Sequence, residues 1–443
     1  MLPKPENMAQ QNWLLQNAQI LHFSPARVER ADIHVQNGQI IAVGPNLQVD
    51  GPVETMDLQG FWVMPGLVCG HTHLYSALAC GMPLPSAAPE NFAQMLEQVW
   101  WRLDKALHRE SNEISALVGG LQALRSGVTT LVDHHASPNA IDDSLLVLDD
   151  ALSRLGTRRV LCYEVSDRDG PEKAKAGVKA HETLLSTPLA SGEEGMRAVM
   201  IGAHANFTLS DETLSSCAAL AKSAGVGLHI HTAEAIDDEK VTGENPVKRL
   251  ERLGALLPGS LLAHCVHVSE DQLKRIEDAG AWVSHQARSN MNNGVGYAPV
   301  QHYQPQTILG TDGIGADMFT ELQSAWFRAQ EGGVPWSPAR WLETLTQTHV
   351  FAGQKLGVTL GKIEKGAAAD LVVLDPIPGP PLNEANLAAA MIFRFSSQMV
   401  RNVMVQGKWR LWDRYPTGIN TIELDQQAQS TSQALWDRMS PIT

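Results

Sequence analysis

The chain of 443 residues is poor in cysteine, with five in all. They are widely spaced and include no CxxC pair: Cys69, Cys80, Cys162, Cys217 and Cys265. An odd number of scattered thiols argues against a disulfide framework, which is typical of small secreted domains. We therefore expect a protein of the reducing cytoplasm.

Positive charge is also scarce. Lys and Arg number 34 against 48 Asp and Glu, which gives a formal net charge of −14, and no Lys/Arg-rich run is present. Proteins that bind nucleic acid usually show a basic patch for the phosphates, so no nucleic-acid partner is expected.

Long apolar runs are missing as well. The sequence has no stretch of about 18 apolar residues, so it predicts no membrane-spanning helix. The first residues, MLPKPENMAQQNWLLQ, lack the apolar segment and the small-residue cleavage site of a secretory leader. We therefore expect neither a membrane partner nor a signal peptide.

What the chain does have is an alternating pattern of apolar segments, with 44% hydrophobic residues overall. Eight short runs are typical of strands: 66–69, 129–132, 159–165, 199–204, 227–231, 261–264, 281–285 and 307–309. Segments of helical periodicity lie between them, such as 113–125, 145–155, 212–224 and 271–279. This alternation indicates parallel βα units, and eight of them close most economically into a (β/α)8 TIM-like barrel.

The two ends of the chain follow a different pattern. Residues up to about 65 form short β-rich runs, and Asn37-Gly38 between two of them predicts a hairpin, because both turn positions need a positive φ. After about Gly353 the β pattern returns. We predict an α/β protein with a barrel over residues 65–353 and a small β-sandwich domain formed from residues 1–64 and 354–443.

Histidines stand at the ends of several predicted barrel strands. They are His71 and His73 at the first, His229 and His231 at the fifth, His264 at the sixth and His285 at the seventh, and Asp312 follows the eighth. The carboxyl ends of barrel strands converge on one mouth, where active sites form. Imidazole and carboxylate are ligands for zinc or iron, so the pattern predicts a metal site. An HxH pair alone is weak evidence among 16 histidines, and the alternative is a set of scattered core or surface histidines.

Glu234 lies three residues after His231. A carboxylate just beyond a metal ligand can move protons between water and substrate. The alternative is an acid at a helix N-terminus, where it favours the helix dipole.

Several segments carry a resemblance to a known family: VMPGLVCGHTHL at 63–74, HIHTAE at 229–234, LAHCVH at 262–267 and LGTDG at 309–313. NGQIIAVG at 37–44 and GKIEKGAAADL at 361–371 extend the likeness to both ends. The chain resembles the amidohydrolase superfamily, in its cytosine/guanine-deaminase-like (chlorohydrolase-like) branch. WWRLD at 100–104, DHHASP at 133–138 and ARSNMNN at 287–293 are most similar to the SsnA-type aminohydrolases of that branch.

The resemblance implies a role for each matching residue. It assigns one divalent metal ion, zinc with ferrous iron as the alternative, to four ligands: His71, His73, His231 and Asp312. It implies that Glu234, His264 and Asp312 are catalytic, with Glu234 as the acid/base. Substrate contacts are expected from His204, His135, His285, Asn290 and Trp100, and from loops 74–91 and 290–297. His229 is expected to pack inside the barrel.

The implied function is hydrolytic deamination of a small aminated N-heterocycle, such as a guanine-like purine or a pterin, with release of ammonia after attack by a metal-activated water. The alternatives are a triazine chloro- or alkylamino-hydrolase, a cyclic-amide hydrolase, and an inactive homologue that still binds metal. A cyclic-amide hydrolase would need a lysine on the fourth strand, where residues 201–207 have none. A homodimer is expected. Cys80, Asn206 and Arg288 depart from the usual pattern of the branch, so they leave the substrate open.

Overall fold

The computed structural model describes residues 10–85 and 89–439. Residues 1–9, which make up most of the segment searched for a secretory leader, lie outside these ranges, as do residues 86–88 of the first barrel loop.

The described residues form strands that alternate with helices through the centre of the chain. The strands are β1 (Asn12–Phe23), β2 (Ala26–Gln36), β3 (Gln39–Gly44), β4 (Glu54–Asp57), β5 (Trp62–Pro65), β6 (Leu67–Thr72), β7 (Val128–His135), β8 (Arg158–Tyr163), β9 (Arg197–Val199), β10 (Ile201–Ala205), β11 (Leu228–Thr232), β12 (Leu261–His264), β13 (Trp282–His285), β14 (Thr307–Leu309), β15 (Leu371–Leu374), β16 (Val400–Val405), β17 (Lys408–Trp412) and β18 (Tyr415–Pro416).

The helices are α1 (Phe92–Met95), α2 (Trp101–Ala106), α3 (Arg109–Arg125), α4 (Ser144–Leu155), α5 (Pro171–Ser186), α6 (Asp211–Ala224), α7 (Asp237–Thr242), α8 (Pro246–Arg252), α9 (Glu270–Asp278), α10 (Ala287–Asn292), α11 (Met318–Glu331), α12 (Pro338–Leu356), α13 (Leu387–Phe393) and α14 (Thr421–Arg438). Three of the four helical segments predicted from periodicity fall within α3, α4 and α6. The fourth, 271–279, overlaps α9.

Each of the eight predicted strand runs overlaps a strand of the central barrel. One parallel sheet has the order β6-β7-β8-β9, and a second has the order β10-β11-β12-β13-β14. Parallel bridges join the two sheets at both seams, between Val165 and Ala203 and between Thr72 and Asp312. The eight strands β6–β8 and β10–β14 therefore form a closed ring, and their carboxyl ends share one mouth.

The strands at the two chain ends form one antiparallel-rich sheet beside the barrel. Its order is β18-β17-β16-β15-β5-β1-β2-β3, with β4 paired to β1. The sheet has its own apolar core, in which Trp13 and Trp409 meet edge to face. Asn37 and Gly38 have φ values of 49° and 80°, which confirms the predicted hairpin turn.

The C-terminal segment contains more helix than its β pattern predicts. Helix α14 packs against α3, and Nε1 of Trp436 donates to the carbonyl of Leu78 at 3.0 Å. Helix α12 ends at Leu356, beyond the proposed barrel limit at residue 353. The domain limits 1–64, 65–353 and 354–443 stay a prediction. In the described part of the chain, the helices are too short or too polar to cross a bilayer.

Candidate metal centre and active site

Three imidazoles and one carboxylate meet at the mouth of the barrel. His71 lies on β6, His73 directly follows it, His231 lies on β11 and Asp312 follows β14. Nε2 of His73 lies 2.8 Å from Oδ1 of Asp312 and 3.2 Å from Nε2 of His231. Nε2 of His71 lies 3.5 Å from the same Asp312 oxygen. The structure thus brings together all four residues predicted to bind metal.

The backbone at this site takes conformations that side chains rarely adopt. Asp312 and His264 have φ values of 55° and 72°. Such left-handed residues are uncommon outside glycine and tend to cluster at functional sites. The N–H of Asp312 donates to the carbonyl of His71 at 3.0 Å, so this contact between β6 and the loop after β14 holds the Asp312 turn.

Each of the three imidazoles is held through Nδ1, which leaves Nε2 directed at the common centre. The acceptors are Nε2 of His229 for His71 at 2.8 Å, the carbonyl of His134 for His73 at 2.6 Å, and the carbonyl of His204 for His231 at 2.9 Å. A proton on Nδ1 fixes the tautomer whose Nε2 lone pair can bind a metal. His229 therefore supports a ligand from within the barrel.

The chemistry of this donor set fits a divalent cation. Nε2 of His71 is buried and has no hydrogen-bond partner among the described residues. Burial lowers the pKa of His71 to about 3, so its ring is neutral, as a ligand must be. Burial would raise the pKa of Asp312, but the charge of His73 and the hydrogen bond from its ring hold that pKa well below its usual range. Burial would lower the pKa of His73, but its contacts with Asp312 and Glu164 raise it well above its usual range, so a metal ion would have to displace that ring proton. Imidazole nitrogens and a carboxylate are ligands that zinc prefers.

Glu234 and His264 face each other beside this centre. Oε2 of Glu234 lies 3.5 Å from Nε2 of His264, and Nδ2 of Asn293 donates to Oε1 of Glu234 at 3.3 Å. Burial raises the pKa of Glu234, and the charge of His264 opposes that shift. A carboxyl group with a raised pKa binds a proton more readily, which suits a group that accepts and returns protons.

An open pocket lies over these groups. Part of its wall is apolar and aromatic: Tyr75, Phe92, Leu96, Trp100, Trp101 and Phe207. A π-helical turn over Leu96–Trp100 joins α1 to α2 and carries part of this wall. Aromatic walls that face a few convergent polar groups are typical of a small-molecule site.

Two of the predicted substrate contacts lie in this pocket, and three do not. His204 and Trp100 line it. His135, His285 and Asn290 are not among its described lining residues, and contact of these three with substrate stays a prediction.

These three side chains have different partners within the protein. Successive side chains of a strand point to opposite faces. The ring of His134 stacks on that of His229, so the side chain of His135 points the other way and contacts Ser137. His285 packs against Tyr303 and Trp341. Asn290 is used within the protein, since its Oδ1 accepts from Nδ1 of His264 at 2.8 Å.

The three departures from the family pattern also lie outside the described lining of this pocket. Arg288 forms a 2.6 Å ion pair with the buried Glu321. Asn206 is buried, and its carbonyl accepts from Arg249. Cys80 is exposed and lines a neighbouring groove.

Sequence reasoning missed two acids that line the pocket, Glu164 and Asp104. Glu164 comes directly after Tyr163, the last residue of β8. The rule that singled out the strand-end histidines would have found it. Asp104 lies on α2, which covers the mouth, and no strand-end signal marks it.

Comparison with known proteins gives a consistent result along most of the chain. Residues 62–410 match the Amidohydrolase family. The chain is 30% identical over 363 residues to a 5'-deoxyadenosine deaminase of Methanopyrus kandleri, which covers 78% of this chain and 80% of that protein. It is 28% identical over 406 residues to a 5-methylthioadenosine/S-adenosylhomocysteine deaminase of Bacillus cytotoxicus. That alignment covers 87% of this chain and 90% of the relative.

Solved structures share the fold. An adenosine deaminase of Xanthomonas campestris with bound zinc aligns with a TM-score of 0.81 at 22% identity, over 96% of this chain and 98% of that chain. An atrazine chlorohydrolase of Arthrobacter aurescens complexed with zinc aligns with a TM-score of 0.79 at 23% identity, over 96% and 100%. These likenesses confirm the predicted fold class.

Proposed function

The chain belongs to the amidohydrolase family, and from that membership we propose that it is a metal-dependent hydrolytic deaminase of a small aminated N-heterocycle. It is a hydrolase that acts on carbon–nitrogen bonds other than peptide bonds. The proposed substrates are guanine-like purines and pterins, to which the names of the relatives add adenosine-like nucleosides.

The observation that carries this proposal is the position of Glu234. Its partly buried carboxyl lies beside His264 and lines the same pocket as His73, His231 and Asp312. A general acid/base, a set of metal ligands and a pocket with aromatic walls therefore share one space. Deamination of a flat ring needs these three elements together.

In the proposed mechanism, His71, His73, His231 and Asp312 hold one divalent ion, for which zinc is our choice. When bound, that ion supplies the Lewis acidity that ionises water near neutral pH. Asp312 accepts a proton from the attacking water, and Glu234 delivers a proton to the ring nitrogen beside the C–NH2 carbon. His264 polarises the group under attack. The amino group then takes the proton held by Asp312 and leaves as ammonia. The hydroxyl group added by water returns its proton to Glu234, and a carbonyl remains.

The test is ammonia release from a panel of guanine, pterin, adenosine and 5'-deoxyadenosine by zinc-loaded protein. Turnover of at least one member is the expected result, and no turnover of any member contradicts the proposal. Release of chloride from a chlorotriazine, or opening of a cyclic amide, without any deamination would replace it with the corresponding alternative. Elemental analysis after metal-supplemented expression should find one divalent ion per chain. A cytoplasmic location and a homodimer stay predictions.

A further inference from the structure

The short helix α10, which follows β13, contacts the carboxylate at the metal centre. Oγ of Ser289 on this helix donates to Oδ2 of Asp312. The other oxygen, Oδ1, lies 2.8 Å from Nε2 of His73 and 3.5 Å from Nε2 of His71. The hydroxyl group of Ser289 therefore occupies one oxygen of the carboxylate, and the other oxygen faces the ligand imidazoles.

The direction of this hydrogen bond is set by a second contact of the same hydroxyl group. Ser289 is only 2% exposed, and its Oγ accepts from Nδ2 of Asn293 at 3.3 Å. That amide nitrogen also donates to Oε1 of Glu234 at 3.3 Å. A hydroxyl group has one proton to donate, so Ser289 accepts from Asn293 and gives its own proton to Asp312.

Arg288, the residue before Ser289, fixes α10 in two directions. Its backbone N–H and its Nε donate to the two carboxylate oxygens of Glu321 on α11, at 3.2 and 2.6 Å. Its Nη2 donates to the carbonyl of Gly315 at 3.0 Å. Gly315 lies three residues after Asp312, so Arg288 ties the helix that carries Ser289 to the loop that carries Asp312.

The pair of Arg288 and Glu321 is well suited to hold a fixed geometry. Glu321 is fully buried, and the pKa of its carboxyl is raised by burial and lowered by the charge of Arg288. Breaking a buried pair leaves a charge without its partner, which is strongly unfavourable. Arg288 is also one of the three departures from the family pattern, and these contacts give it a function inside the protein.

We propose that Ser289 is a positioning residue for Asp312. Its hydroxyl group occupies Oδ2, so that Oδ1 is the oxygen left to bind the metal, and Arg288 keeps Ser289 in place by tying α10 to the loop behind Asp312. Hydrogen bonds to the outer side of a ligand orient it and tune its affinity for the metal. The kinetic part of this inference rests on the proposed function, in which Asp312 accepts a proton from water.

The first test measures zinc affinity, which does not depend on turnover. Ser289→Ala should weaken zinc binding by about 10- to 100-fold, the usual effect of removing a hydrogen-bond partner behind a metal ligand. Competition with a chromogenic chelator measures this affinity. Ser223→Ala removes a hydroxyl group from the exposed side of α6 and is the matched control, with no change expected. An unchanged affinity of the Ser289→Ala protein would overturn the proposal.

A double-mutant cycle shows whether Ser289 acts through Asp312. The Asp312→Ala protein keeps the three imidazoles but has lost the acceptor of the Ser289 hydroxyl group. Adding Ser289→Ala to it should therefore change zinc affinity by less than about twofold. A loss as large as in the protein with Asp312 would mean that Ser289 serves only the packing of α10, and it would overturn the proposal.

The contribution of Arg288 is tested without leaving a buried charge unpaired. The double variant Arg288→Met, Glu321→Gln removes both charges, and Gln can still accept from the backbone N–H of residue 288. Circular dichroism should show the native fold, and zinc affinity should fall by about tenfold. A zinc affinity equal to that of the unaltered protein would show that Arg288 only neutralises Glu321, and it would overturn the anchoring role.

Steady-state kinetics separate positioning from substrate contact. Ser289 is not among the described residues that line the pocket. In zinc-saturated Ser289→Ala protein we therefore expect kcat to fall by about tenfold and KM to stay within about twofold of its original value. A higher KM at unchanged kcat would show that Ser289 acts on substrate binding, contrary to the proposal.

Zinc affinity and turnover together separate failure of this inference from failure of the proposed function. If the unaltered protein deaminates a substrate but Ser289→Ala changes neither zinc affinity nor kcat, the inference fails and the function stands. If the unaltered protein binds zinc but deaminates no substrate, the function fails, and a weaker zinc affinity of Ser289→Ala still supports the inference. If the unaltered protein binds no zinc, both fail.

Discussion

Nε2 of His229 lies 2.8 Å from Nδ1 of His71, inside the barrel. His229 accepts the proton that fixes the ligating tautomer of His71, and its own Nδ1 lies 3.4 Å from Sγ of Cys162. We expect His229→Leu to weaken zinc binding by about 10- to 100-fold, the usual effect of removing a hydrogen-bond partner behind a metal ligand. Competition with a chromogenic chelator measures this affinity.

His229→Gln is the matched variant for that experiment. Its side-chain oxygen can still accept a proton from Nδ1 of His71, so we expect it to recover part of the lost affinity. Equal affinities of the Leu and Gln variants would show that His229 only fills space.

Glu234→Gln should keep the fold and the zinc content but lower kcat by about 10²- to 10⁴-fold, because the amide cannot carry the proton. Circular dichroism, elemental analysis and steady-state ammonia release together check this prediction. A rate near that of the unaltered protein would remove Glu234 from the mechanism.

Asn290→Ala should lower kcat about fivefold at unchanged zinc content. The substitution removes the acceptor that orients His264, at the usual energy of one hydrogen bond of about 1 kcal/mol. Asn292→Ala, on the exposed side of the same helix α10, is the control. If both variants have the same kcat, orientation of His264 by Asn290 does not matter for the reaction.

The barrel and the terminal β-sheet are joined by a buried ion pair. Nε and Nη2 of Arg158 donate to the two carboxylate oxygens of Asp370 at 2.7 and 2.9 Å. Asp370→Ala should lower the free energy of unfolding by about 3–5 kcal/mol, because it leaves a buried guanidinium without its partner. Urea denaturation measures this. The double variant Arg158→Met, Asp370→Leu should be more stable than Asp370→Ala, and the opposite order would contradict the argument.

The pH dependence of stability should include a contribution from His181. Nε2 of this buried ring accepts from the backbone N–H groups of Tyr163 and Gly202 at 2.9 Å each, and Nδ1 donates to Gly177. Burial lowers its pKa from 6.5 to about 4. Between these values the unfolded chain binds a proton that the folded chain does not, so the free energy of unfolding falls as the pH falls from 6.5 to 4. The total loss from this residue is roughly 3 kcal/mol.

His181→Gln isolates that contribution, because glutamine does not titrate. The variant should be less stable at pH 7.5. Below pH 6.5 its free energy of unfolding should fall less steeply with pH than that of the unaltered protein, because its unfolding takes up about one proton fewer. Urea denaturation of both proteins in chelator, at pH 7.5 and 5.5, gives the difference. Parallel pH profiles would show that His181 is not the titrating group.

Local patterns in the sequence were enough to predict the barrel. Strand runs such as 261–264 and 307–309 coincide with β12 and β14, because a strand buried on both faces must be apolar over its whole length. The Asn37-Gly38 turn was predictable for a similar reason, since few residues accept its backbone angles. Helix α14 was not predicted, because its contacts with α3 and Leu78 join residues far apart in the chain.

The same division holds at the site. Chain order in the sequence placed seven candidate side chains at strand ends, which a barrel brings together. The family resemblance then selected four of them as candidate ligands and named Glu234 as the acid/base. Only the tertiary structure decided the direction of each side chain. It turned His135 and His285 away from the pocket, made Asn290 and His229 supports of other histidines, and placed Glu164 and Asp104 in the lining. Those outcomes depend on which neighbours fill the space around each side chain, and that packing is set by residues hundreds of positions apart.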